Sequence, residues 1–83
     1  MTCRDEVLAA FARLMARTSR EAFSPAEIVR EVRSQGSKCR ESTIRTHVVS
    51  RMCVNAPDHH AVVYDDLERI GPGIYRLRSD RPR

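Results

Sequence analysis

Four consecutive residues, Ser24-Pro25-Ala26-Glu27, constrain the fold of this chain more than any other stretch. A serine hydroxyl accepts from the backbone N–H three residues on, and a glutamate there reaches back to the serine N–H. Proline is tolerated at the first helical position because its missing donor would have no partner there anyway. A helix therefore starts at Pro25. Phe23 before the cap and Ile28 behind it supply a hydrophobic staple. Ile28, Val29 and Val32 continue the apolar stripe, and Gly36 supplies the left-handed residue that ends the helix.

The same reasoning places an earlier helix, capped by Thr2 with Asp5 at its third position, with Val7, Leu8, Phe11, Leu14 and Met15 as its apolar stripe and an end near Thr18. A third helix follows over residues 41–54. Ile44, Val48 and Met52 recur at i, i+4, i+8 and should face the core, flanked by His47 and Arg51. The opposite stripe is Ser42, Thr46, Val49 and Cys53, with Arg45 on one flank and Thr43 and Ser50 on the other. Asn55-Ala56-Pro57-Asp58 ends this helix in a loop over 55–60. Residues 67–77 read as a hairpin around Gly71-Pro72-Gly73, with Tyr75 and Leu77 on the face that closes over the helices. The expectation is an α+β fold, a winged helix-turn-helix of three helices plus a C-terminal β-hairpin wing. It forms a single domain over 1–78 with a flexible tail at 79–83.

A chain of 83 residues makes one small domain and leaves no room for a large catalytic cleft. Two Phe, two Tyr and no Trp give a mostly aliphatic core and few platforms on which single-stranded bases could stack. The net charge of +4 is unevenly spread. Lys38, Arg40, Arg45 and Arg51 face only Glu41 within residues 36–53, five arginines face only Asp80 within 69–83, and the segment between them is acidic. That pattern fits a footprint for phosphates, although a solvated surface in an arginine-rich chain would look similar. Three cysteines, an odd number, argue against a disulfide framework and for a reducing cytoplasm. The longest uncharged run, Thr46 to Ser50, is far shorter than a bilayer span.

The third helix carries no carboxylate after Glu41, whereas an ordinary exposed helix face would alternate Glu and Lys. Short hydroxyl side chains allow close approach to base edges, and arginine can donate two hydrogen bonds to guanine O6 and N7. Ser42, Thr43, Arg45, Thr46, Val49 and Ser50 are therefore candidate contacts in the major groove of double-stranded DNA. Lys38, Arg40, Arg69, Arg76 and Arg78 are candidate phosphate clamps, each alternatively solvated or paired with Asp65, Asp66 or Glu68. His59, with His60, lies in the loop after the helix and would strengthen binding in mild acid. Arg51 is expected in an internal ion pair and His47 at the edge of the core. The spacing of Cys3, Cys39, Cys53, His47, His59 and His60 matches no familiar zinc site, so neither metal nor cofactor is expected. Asp65-Asp66 lacks the second carboxylate cluster and lysine of a nuclease site and is expected to set a turn before the hairpin, so no catalytic role is assigned.

Glu41-Ser42-Thr43-Ile44-Arg45-Thr46-His47-Val48, Arg51-Met52-Cys53, Asn55-Ala56-Pro57-Asp58-His59-His60 and Tyr64-Asp65-Asp66-Leu67-Glu68-Arg69 together resemble a small family of bacterial winged-helix DNA-binding domains associated with restriction-like or HNH nuclease modules. The resemblance implies a DNA-binding protein of the bacterial cytoplasm or nucleoid, a nuclease domain or chain in the same system, and recognition of modified bases. Arg45 held by guanine could lay its guanidinium against the 5-methyl group of a preceding 5-methylcytosine, and Thr46 and Val49 offer apolar contact to it. The same contacts would serve thymine before guanine. Two alternatives are a protein-interaction winged helix without base preference and a regulator that reads unmodified sequence.

Overall fold

Thr2 and Ser24 each close the reciprocal cap that their sequences encode. Thr2 Oγ1 and Ser24 Oγ each accept from the backbone N–H three residues on, and the carboxylates of Asp5 and Glu27 accept from the cap N–H groups in return. They start α1 (Cys3–Thr18) and α2 (Pro25–Ser34). The computed structural model describes residues 2–55 and 64–78. Between the two helices lies β1 (Ala22–Phe23); α3 (Glu41–Thr46) follows and runs on into a π-helical turn over His47–Arg51, and β2 (Leu67–Gly71) and β3 (Ile74–Leu77) form the hairpin.

The arrangement is α+β, three helices and a three-stranded antiparallel sheet, the layout of a winged helix. Sheet order is β1-β3-β2, with Ala22 opposite Arg76, Phe23 opposite Tyr75, and Leu67 opposite Leu77. Strand β1 has no counterpart in the sequence reading, because two residues are too few to show alternation. It matters because it stitches the entry of α2 to the wing. Gly36 adopts φ +77°, as the end of α2 requires.

Val7, Phe11, Phe23, Ile28, Val32, Ile44, Val48, Met52 and Leu67 are essentially sealed from solvent and form one core. Phe11 meets Phe23 edge to face, with ring centroids 5.9 Å apart. Two carboxylates share this interior. Glu31 receives Arg13 Nε at 2.8 Å and an Arg17 guanidinium nitrogen at 2.6 Å. Asp66, with 1% of its surface exposed, receives two hydrogen bonds from Arg4. Asp66 thus anchors the wing to α1, where the sequence had suggested a turn-setter or a partner for a hairpin arginine.

Two further expectations are corrected. The Cys3 and Cys39 sulfurs are joined in a disulfide, with Cα atoms 6.0 Å apart, leaving Cys53 as a buried free thiol. Three cysteines separated by long stretches gave no sign of this pairing, because the fold rather than the spacing brings the first turn of α1 against the segment before α3. The third helix also does not continue regularly to residue 54. Met52 N–H donates to His47 O at 2.9 Å, five residues back, so one extra residue is accommodated in the turn. Residues beyond it rotate relative to a uniform helix. Cys53, expected on the outer stripe, is fully buried, and Val49 is half-buried against the core.

Candidate nucleic-acid interface

The outer surface of α3 is set by the core stripe beneath it. With Ile44 and Val48 fixed inward, Ser42, Arg45 and Thr46 point to solvent, while Thr43 is half-buried. Arg40 occupies the cap position with extended backbone, and its guanidinium, a donor only, cannot cap the N–H groups of the helix start. Lys38, Arg40 and Arg51 are exposed and make no ion pair with the described residues. Arg51, expected to pair internally, instead contributes to the surface.

Some of the outward groups are already engaged. Arg45 Nε donates to Glu41 at 3.2 Å one turn back, both side chains about half exposed. Thr46 Oγ1 donates to Ser42 O at 2.8 Å, which leaves its oxygen lone pairs and methyl group outward. His47 Nδ1 lies 2.8 Å from Thr43 O; because a carbonyl only accepts, the proton is on Nδ1 and Nε2 is left for other partners. A depression of about 420 Å³ opens beside these groups, lined by Ser42, Thr43, Thr46, His47, Arg51 and Tyr64. Arg51 and Tyr64 were not among the expected contacts. A regular helix would turn Arg51 inward, and Tyr64 reaches the site through a backbone bond from its N–H to Arg51 O at 2.8 Å.

The far end of this surface is tied to the wing. Leu67 N–H donates to Met52 O, Val54 N–H donates to Leu67 O, and Cys53 pairs with Leu67 as a parallel bridge. The Asn55 side chain then continues the ladder: its amide donates to Arg69 O and its oxygen accepts from Arg69 N–H, both at 2.9 Å.

The wing arginines do not form one clamp. Arg69 stands opposite Tyr75 and Arg76 opposite Glu68, so the two arginines project from opposite faces of the hairpin. Arg76 is paired with Glu68 at 2.8 Å and borders a second depression with Ser19, Arg20, Glu21, Ala22 and Ile70. Arg78 is partly covered and lies 3.9 Å from Asp65. The structure therefore groups Lys38, Arg40, Ser42, Thr43, Arg45 and Thr46 on and before α3 and separates Arg76 from them. Val49 and Ser50 are half-buried, Val49 against the core, which leaves only part of its side chain as an outward apolar contact. His59 and His60 lie outside the described residues, as do residues 56–58 and the tail over 79–83.

Among the described residues, only Cys3, Glu6 and Cys39 gather three groups able to hold a metal ion, and they lie apart from the depression beside α3. No helix is long and apolar enough to cross a membrane among the described residues.

A family model for a domain of unknown function, DUF7669, matches residues 6–77. The chain belongs to this family. The match runs from the first turn of α1 to the last residue of β3, so the DUF7669 domain is the whole three-helix and hairpin unit. No curated protein and no solved structure matches the chain.

Proposed function

We propose that this DUF7669 domain binds double-stranded DNA, with the outer face of α3 in the major groove. The observation that carries the reading is the exposed face of Ser42, Arg45 and Thr46, entered by Lys38 and Arg40, which make no ion pair among the described residues, and followed by Arg51. Hydroxyls and a guanidinium at helical spacing suit base edges, and the flanking cations suit phosphates. The Glu41–Arg45 pair is the feature that speaks against it, since Glu41 would repel a phosphate. An exposed i,i+4 pair is worth only about 0.3–0.5 kcal/mol, however, so guanine can displace Glu41 from Arg45 at small cost.

The sharper reading is a preference for 5-methylcytosine before guanine. With Val49 half-buried, the Thr46 methyl group and the plane of the Arg45 guanidinium are the main apolar surfaces left for the base methyl. A partner nuclease chain or domain belongs to the same proposal only as what the sequence resemblance implies. The exposed Glu41 carboxylate favours one rival, a protein-binding face without base preference.

Fluorescence polarisation with a short CpG duplex, unmethylated, hemimethylated and fully methylated, near 0.15 M salt, tests both levels. A methyl-dependent gain of about 1–3 kcal/mol that Arg45→Ala removes supports the methyl reader. Binding that distinguishes sequences but not methylation leaves a plain DNA reader. Equal weak binding to all duplexes, unaltered by Arg45→Ala, overturns the DNA reading in favour of a protein partner.

A further inference from the structure

We propose that Cys3 and Cys39 form a reversible thiol–disulfide exchange site, served by Glu6, that clasps the segment leading into α3 onto the first turn of α1. The inference stands apart from the DNA reading. Three observations meet here. The two Cα atoms are 6.0 Å apart, within the range a disulfide bridges without backbone movement, and both residues are only half-buried. Cys3 is the first residue of a 16-residue helix whose early N–H groups favour the anionic, attacking form of its sulfur. Glu6 Oε2 lies 2.9 Å from Cys39 Sγ, a contact that becomes a hydrogen bond only when that sulfur carries a proton.

The site is thus fitted to both redox states. In the reduced state the Cys39 thiol donates to Glu6, which keeps the proton on Cys39 and leaves Cys3 as the nucleophile. A low-molecular-weight disulfide supplies the oxidant. The Cys3 thiolate attacks one of its sulfurs, forming a mixed disulfide and releasing one thiolate. Cys39 loses its proton and attacks Cys3 Sγ, expelling the second thiolate. Two protein thiols become one disulfide, the small disulfide becomes two thiols, and the protons pass from protein to leaving groups.

The consequence falls on Ser37–Arg40. This segment carries Lys38 and Arg40, and its internal order otherwise includes the bond from Cys39 N–H to Ser37 Oγ at 3.0 Å. Closure holds it on α1; opening releases it while α3 remains anchored through Ile44 and Val48.

The test equilibrates the full chain with graded reduced and oxidised glutathione, then traps thiols and reads mass, melting temperature and amide exchange. Expected is full, reversible loss of about two mass units at Cys3 and Cys39 with Cys53 still a thiol. The oxidised form should melt about 10 °C higher, since a crosslink across this separation constrains the unfolded chain. Its amides at 37–40 should exchange more slowly. Cys3→Ser and Cys39→Ser should each abolish the redox dependence, while Cys53→Ser should keep it. In the reduced protein Cys3 should alkylate at least tenfold faster than Cys39 at pH 7, and Glu6→Gln should narrow that ratio. A bond that glutathione cannot open would overturn the proposal in favour of a fixed crosslink. A stable glutathione adduct without closure would also overturn it, and so would one equivalent of Zn²⁺ held by the reduced protein that blocks reoxidation.

Discussion

Arg4 grips Asp66 across 62 residues of sequence, Nε to Oδ2 at 2.8 Å and a terminal nitrogen to Oδ1 at 2.9 Å, while its guanidinium carbon sits 4.2 Å from the centre of the Tyr64 ring. This one side chain joins the start of α1 to the residue before β2 and to the rim of the depression beside α3. The bond to Asp66 is also the largest cause of the raised Arg4 pKa. Arg4→Met, which keeps the stem and removes the donors, should lower stability by about 2 kcal/mol, because it strands a sealed carboxylate without its main partner. A urea titration would check this, and an unchanged midpoint would show that Asp66 is satisfied without Arg4.

Acid should unfold the protein through Glu31. Its carboxyl is held below the usual range, first by the hydrogen bond from Arg17 and then by that from Arg13, against the opposing effect of burial. Glu27 is lowered in the same direction, chiefly by Arg20. A folded-state pKa below the unfolded one gives stability that is complete above the unfolded value, about 4.3 for glutamate, and is lost as pH falls through the folded value. The urea midpoint should therefore be steady from pH 7 to about 5 and fall below that. Glu31→Gln should be weaker at pH 7 and show a shallower decline.

Gly36 holds φ +77° with open space around its α-carbon, so a methyl group there meets no neighbour but an unfavourable backbone. Gly36→Ala should cost about 1 kcal/mol through the backbone alone. Thermal unfolding of the variant beside the parent chain would measure it, and no loss would mean that the end of α2 can rearrange.

If α3 lies in a groove, Arg40→Ala should reduce the slope of log affinity against log salt by about 1 and leave base discrimination unaltered. Arg76→Ala should change neither quantity, because Arg76 is paired with Glu68 on the other face of the wing from Arg69. Titrations across 0.05–0.3 M salt separate these outcomes; an equal effect of Arg76→Ala would place both faces of the wing on the duplex.

Elements whose signals are local were readable from sequence. The caps at Thr2 and Ser24, the end at Gly36 and the Gly71-Pro72-Gly73 turn each sit where short-range chemistry put them. The inward triad Ile44, Val48 and Met52 was readable too, since hydrophobic spacing is itself a local record of the core. What was not readable depends on distant parts of the chain. Cys39 meets Cys3 only because α1 packs beside the loop before α3. The π-helical turn has no signature in His47-Val48-Val49-Ser50-Arg51, yet it carries Cys53 inward and leaves Arg51 outside. Within the candidate interface, the polar character of α3 was legible, but the pairing of Arg45 with Glu41 and the opposed faces of Arg69 and Arg76 required the register of the fold.

The Asn55 amide does for β2 what another strand would do, filling one donor and one acceptor on its outer edge at Arg69. On the opposite side the sheet ends in β1, only two residues long. Among the described residues each border therefore leaves only a short stretch of open backbone, a poor template for a second copy to extend, so the wing should not seed fibres at high concentration.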